Sequence, residues 1–341
     1  MIWDRKQEGR NAFVSRVFAA FLTLLQLLTL FTSCTSEVPE GSEMASERET
    51  VNSSPYLLGV TNQKASAVEV YDIGKGVIGA ESLIWQFPCS EYNIAGLKLR
   101  KYKGEEVMLA AYGVNSAIMV SYPGKTVLWK TAGTANNPHS VELIPFSDDS
   151  YLIAVAASSG AEVRFFDPEG ADPETAIHAL PYADAHGLLY DPDGECLWIW
   201  GTNQLSKYRV EKNGNKVKTE LIVVYTAPSS SGHDLAPVYG DRNLLWLSTG
   251  SAVYQFNKTT GAFSTTYPEE LYLKRSKVKG LGNFPDGSIV WIVPDGAFES
   301  WTSATVSFAK RNSNGSGYAD FSLTSETGGF YKIRVWSSDY Q

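Results

Sequence analysis

The chain is poor in the residues that usually advertise chemistry. Three cysteines and four histidines occur in 341 residues, and no cysteine spacing of the metal-binding kind is present. Helical periodicity is missing outside one apolar run near the N-terminus, which argues against any helical architecture. There is no excess of basic charge either. Twenty-nine Lys and Arg stand against 37 Asp and Glu, a formal net charge of −8, so no general field exists to attract nucleic acid. Phosphate-cradling loops, dinucleotide fingerprints and the Ser/His/Asp elbow of hydrolases are also missing. What remains is a chain rich in aromatics, with 9 Trp, 18 Tyr and 15 Phe, a composition that favours strands.

Residues 1–34 read as an export leader. Arg5, Lys6, Arg10 and Arg16 precede an apolar run over 17–31, which suits a signal segment and is short for a membrane span. The run ends Leu30-Phe31-Thr32-Ser33-Cys34, which resembles a lipoprotein lipobox with Cys34 as the lipidated residue; Phe31 is larger than the usual residue at its position. An ordinary secretory signal or an N-terminal anchor helix is the alternative. Residues 35–54 are polar and rich in Ser and Glu, without aromatics, and read as a disordered tether. Only Cys89 and Cys196 follow. A disulfide between them stays open, although the apolar surroundings of Cys196 point to a free buried thiol.

From residue 55 to 341 short β-type runs alternate with Gly, Asn, Asp and Pro. Within them one phrase is written three times: Pro138-His139-Ser140-Val141-Glu142-Leu143, Ala185-His186-Gly187-Leu188-Leu189 and Gly232-His233-Asp234-Leu235. The histidines are 47 residues apart and then 47 again, the period of a repeat architecture. Each repeat divides into four strands, the clearest at 141–145, 151–157, 162–167 and 175–180. Four short antiparallel strands make one propeller blade. The repeats predict an all-β fold, a six-bladed β-propeller with four-stranded blades. The first unit has only three strands, at 56–60, 67–72 and 83–87, and the extra strand at 330–336 is expected to complete it, fastening the ring at its ends.

In such a fold the residue leading into each innermost strand faces the channel mouth. Aligned on the recurring Leu, the six occupants are Tyr331, Ala95, His139, His186, His233 and Lys279. The loops on the same face supply Asn62, Gln63, Asn115, Asn137, Asn203, Asp234 and the aromatic Trp301, candidate ligand-binding residues. Two readings of the histidines follow. His139, His186 and His233 could converge on a divalent metal (Zn, Mn or Ca), or act with Tyr331 and Lys279 in acid–base chemistry; or each could serve the blade that carries it, through hydrogen bonds. His178 is expected to be a surface residue, and Trp85, Trp129, Trp198, Trp246 and Trp291 core residues.

The phrases around His139 and His233, with the opening Val60-Thr61-Asn62-Gln63, resemble a family of uncharacterised bacterial exported propeller proteins, a domain of unknown function frequent in Bacteroidetes-type lipoproteins. The resemblance covers 56–336 and implies the fold. More distantly the blades look like NHL-repeat and gluconolactonase-type propellers. The histidine ring is similar to that of oligogalacturonate lyase and the peptidylglycine amidating lyases, but the full ligand sets of those enzymes are not matched here. The expectation is therefore a lipid-anchored, monomeric propeller at the cell surface, outer membrane or periplasm, binding an extracellular small molecule or glycan at its mouth without nucleic acid. The alternative is a metal-assisted lyase or hydrolase acting on acidic saccharides. An assembly scaffold is a third possibility, since fold does not dictate function.

Overall fold

The computed structural model describes residues 54–90, 93–113, 116–131, 136–265, 276–312 and 318–340. The leader, Cys34, the tether up to residue 53 and Asn115 lie outside the described residues. The chain divides into Met1–Thr50 and Val51–Gln341, and the second unit carries the fold.

Six four-stranded antiparallel sheets follow one another. The first begins with β1 (Leu57–Asn62), β2 (Ala67–Asp72) and β3 (Leu83–Pro88). The second is β4 (Ile94–Tyr102), β5 (Glu105–Tyr112), β6 (Ser116–Ser121) and β7 (Val127–Thr131). The third is β8 (Pro138–Pro145), β9 (Tyr151–Ala157), β10 (Glu162–Phe166) and β11 (His178–Pro181). The fourth is β12 (Ala185–Asp191), β13 (Cys196–Gly201), β14 (Gln204–Asn213) and β15 (Lys216–Thr226). The fifth is β16 (Asp234–Pro237), β17 (Leu244–Ser248), β18 (Val253–Asn257) and β19 (Ala262–Ser264). The sixth is β20 (Gly280–Asn283), β21 (Ile289–Ile292), β22 (Thr305–Arg311) and β23 (Tyr318–Thr324). The last strand, β24 (Phe330–Val335), joins the first sheet in the order β24-β1-β2-β3, with Leu58 opposite Val335 and Val60 opposite Ile333. Blade one is thus closed by the C-terminal strand, and neighbouring inner strands touch in the order β4, β8, β12, β16, β20, β24 and back to β4. The fold is a six-bladed β-propeller, as the repeats predict.

The residue pattern explains the layering. Second strands such as β13, Cys-Leu-Trp-Ile-Trp-Gly, are buried on both faces because each blade lies between two others, and they read as continuous apolar runs. Outer strands such as β15 alternate charge with apolar residues and are largely exposed. The core is six separate clusters, one at each blade interface; Trp198, Leu235, Leu247 and Phe256, for example, join blades four and five. Trp85, Trp129, Trp198, Trp246 and Trp291 are all buried, as expected. His178 differs: it is half-buried, and its Nε2 lies 3.2 Å from Thr219 Oγ1, tying β11 to β15. Cys89 and Cys196 are free thiols, each pushed up to about 12 by burial.

Candidate functional site

One local device recurs at the start of the inner strands. In β4, Ile94 pairs with Tyr112 and Gly96 with Ala111, so Ala95 is an extra residue in the ladder. His139, between paired Pro138 and Ser140, and His186, between Ala185 and Gly187, sit at the same kind of bulge. The β1–β24 pairing is irregular where Tyr331 and Lys332 face Thr61. A bulge bends the strand and re-aims the extra side chain. Two residues before His139, His186, His233 and Lys279 the backbone is left-handed, at Asn137, Asp184, Ser231 and Lys277, with φ between 53° and 62°. The chain therefore turns sharply and delivers His139, His186, His233 and Lys279 to one mouth of the channel.

There the side chains meet in series. The His139 and His186 rings lie 4.2 Å apart between centroids, and His186 and His233 5.5 Å apart, edge to face. Lys279 Nζ is 3.0 Å from His233 Nε2 and 5.9 Å from the Tyr331 ring. Tyr331 reaches His139, its hydroxyl 3.4 Å from Nδ1, across the place where Ala95 contributes only a methyl group. The five polar side chains and Ala95 form the ring expected from the spacing, in the expected order.

Charge in the ring is set by burial. The imidazoles of His139 and His233 are held well below their ordinary value, His233 at about 3, first by burial and then by His186, Lys279 and Lys332. Both are neutral near pH 7. Burial, with Lys277 nearby, lowers Lys279 to about 8, and burial pushes the Tyr331 phenol up. The Lys279 ammonium donates to His233 Nε2, which puts the His233 proton on Nδ1, a buried atom with no partner. His186 Nδ1 donates to the Asp184 carbonyl at 3.0 Å and lies 3.1 Å from its carboxylate. Burial is the largest influence on Asp184 and acts to raise it, but the His186 ring against its carboxylate, with His233 and the Thr202 amide, together outweigh burial and hold the carboxyl below the usual range.

These contacts do not fit the metal site expected at His139, His186 and His233. A shared Zn, Mn or Ca ion needs several lone pairs aimed at one point. Here Lys279 occupies His233 Nε2 and brings its ammonium into the ring, Asp184 holds His186 Nδ1, and Tyr331 lies against His139 Nδ1. Among the described residues no group of three or more His, Cys, Asp or Glu is placed to hold a metal.

The other candidates separate. Asn62 is fully buried; it donates to Glu69 and to the Thr327 carbonyl and accepts from the Ala65 and Gly329 amides. Gln63 is equally buried and links Asn93, the Ile94 carbonyl and the Trp301 indole. Asp234 is buried in an ion pair with Arg334 and Lys332. These three hold the mouth together and have little left to offer a ligand. Asn137 caps its turn through Ser158 and Ser159, and Asn203 is half-buried, its carbonyl accepting from Ala227. Trp301 is 40% exposed on the same face, its indole fixed at 3.0 Å from Gln63 Oε1.

Below the ring lies a feature absent from the sequence expectations. Lys98, Arg100, Glu142, Asp234, Lys332 and Arg334, all on inner strands, fill the channel with ion pairs. Glu142 takes Lys98 at 2.7 Å and both Nε and Nη2 of Arg100; Asp234 takes Arg334 through two nitrogens and Lys332 at 3.2 Å. The signal was present as charges at alternate positions, Lys98 and Arg100, Lys332 and Arg334, inside otherwise apolar strands. The far end is closed by the C-terminal tail: Tyr340 donates to the Leu143 carbonyl, and Arg100 lies 4.4 Å over its ring. A separate groove of about 760 Å³ runs between blades one and six. Its buried carboxylate, Glu69, is committed to Asn62, Tyr71 and Gln86.

A six-bladed propeller with a polar ring at one mouth defines a class rather than an activity. The chain belongs to the DUF6528 family, a family of unknown function, whose profile matches residues 20–322. Among curated proteins none matches. Of solved structures, one chain of the crystal structure of the Mitotic Checkpoint Complex is similar over 90% of this chain and 92% of that chain, with a TM-score of 0.51 and 14% identity. That likeness concerns the fold alone, and 1403 solved chains match, too many for the fold to carry an activity.

Proposed function

We propose that this protein is an exported propeller, anchored through lipid on Cys34 in the manner of a bacterial lipoprotein, that binds an extracellular ligand, a carbohydrate, at the histidine mouth. The leader over 1–34 and the polar tether support the export reading. The observation that carries the binding reading is the series Tyr331, His139, His186, His233 and Lys279. It gathers neutral donors and acceptors with one ammonium at a single mouth, the small set of convergent polar groups that fixes a ligand. Trp301, exposed on that face and held by Gln63, supplies a flat apolar surface on which a sugar ring can stack.

The experiment is calorimetric titration of the exported form with a panel of neutral and acidic oligosaccharides, repeated with Lys279→Met and Trp301→Ala. The expected result is saccharide binding weakened at least about tenfold in each variant, the loss of one or two good contacts. Binding untouched by both changes, or none across the panel, would sink the reading. The second reading, a lyase or hydrolase acting on acidic saccharides, is favoured by Lys279. Its ammonium has no carboxylate partner among the described residues and titrates near 8, within the range of general acid–base groups. Turnover of an acidic oligosaccharide that disappears in Lys279→Met would favour it over simple binding.

A further inference from the structure

The column of charge below the ring does not balance. Four cations, Lys98, Arg100, Lys332 and Arg334, face two carboxylates, Glu142 and Asp234, and five of these six side chains are at most 4% exposed, with Arg334 at 13%. Buried charge is tolerated when it is paired and hydrogen-bonded. A surplus of two positive charges in such a place calls for a partner.

Hydrogen-bond accounting shows where the partner is missing. A lysine ammonium has three N–H donors and a guanidinium five. Lys98 uses two, on Glu142 and the Leu188 carbonyl, and keeps one. Arg100 uses four: Nε and one Nη2 proton on Glu142, and both Nη1 protons on the Leu99 and Asp339 carbonyls. Arg334 uses its four Nη protons on Asp234 and the Ile333 and Leu235 carbonyls, which leaves Nε–H. Among the described residues, each of the three cations thus has one N–H without an acceptor. All three line one small cavity at the tail end of the channel, together with Tyr239 and Ser337, with room for about one water-sized particle.

We propose that this cavity is an anion site, holding one small monovalent anion of the chloride class against Lys98, Arg100 and Arg334. A water molecule would accept from two of the three donors and leave the charge surplus intact; an anion accepts from all three and removes half of it. Burial, with Arg100 and Arg334 beside it, lowers Lys98 to about 7 despite Glu142, and an anion in the cavity would act against both and keep that ammonium charged. The site lies at the opposite end of the channel from the histidine ring and does not depend on what binds there.

Two measurements on the unaltered protein test it. In a crystal grown or soaked in bromide, an anomalous peak is expected in the cavity between Lys98, Arg100 and Arg334. In solution, replacing sodium gluconate by sodium chloride at constant ionic strength should raise the melting temperature saturably by about 2–4 °C, since a ligand that binds only the folded state stabilises it. Lys98→Met, which removes one surplus charge, should abolish the chloride effect in a chain that still melts cooperatively. Identical melting in gluconate and chloride, or density in the cavity with no bromide signal, overturns the proposal.

Discussion

At the scale of single residues the ring is governed by desolvation. Three imidazoles, an ammonium and a phenol share one mouth, and burial leaves two of the imidazoles uncharged where free histidine would be partly protonated. This has a sign. Below about 6.5 the unfolded chain takes up protons on His139 and His233 that the folded chain refuses, in the case of His233 until about 3. Their contribution is therefore complete above about 6.5 and lost as the pH falls from there toward 3. Denaturant titrations at pH 7 and pH 4 should show lower stability at pH 4, and in His233→Gln the pH slope should shrink by about one proton. A slope unchanged by that substitution would remove His233 from the account. Ala95 matters by being small, because a bulkier side chain there would separate Tyr331 from His139.

At the scale of elements the bulged start of the inner strands is the working part. At Ala95, His139, His186 and the Tyr331–Lys332 step it interrupts the ladder and re-aims a side chain at the shared mouth. The price of packing six inner strands so closely is glycine at the point of contact. A Cβ on Gly187 would lie 2.7 Å from Leu235 Cβ, in the neighbouring inner strand, and one on Gly96 would lie 2.8 Å from the His139 carbonyl oxygen. Gly187→Ala should cost about 1–3 kcal/mol by overpacking, read from equilibrium unfolding. Gly79→Ala, where a Cβ meets nothing within 4 Å, should change stability by no more than about 0.5 kcal/mol. Equal effects at the two sites would mean that the inner strands can separate freely. The period of 47 made the histidine positions legible; the bulges were not, because an extra residue in a ladder shows only once the partner strand is aligned.

At the scale of the whole molecule, closure is the decisive event. Strand β24 completes blade one, brings Tyr331 to the ring and carries Lys332 and Arg334 to Asp234, and the tail beyond it seals the far end through Tyr340. Deleting Phe330 to Gln341 should abolish cooperative thermal unfolding, because it opens the ring and strands Asp234 as a buried carboxylate without a cation, a loss of about 3–5 kcal/mol for that pair alone. An unchanged melting curve for the truncated chain would refute this.

The sequence by itself determined the blade count, the strand shared between the termini and the ring with its order, because repeats and alternation are local patterns that survive in one dimension. Which nitrogen faces which acceptor was decided only by the tertiary structure. Lys98 meets Glu142 from 44 residues away, and Arg334 meets Asp234 from 100. No local pattern encodes such pairs. They exist because closing six blades around one axis forces the inner strands together, and burial then dictates which charges must find one another and which lone pairs are left for a ligand.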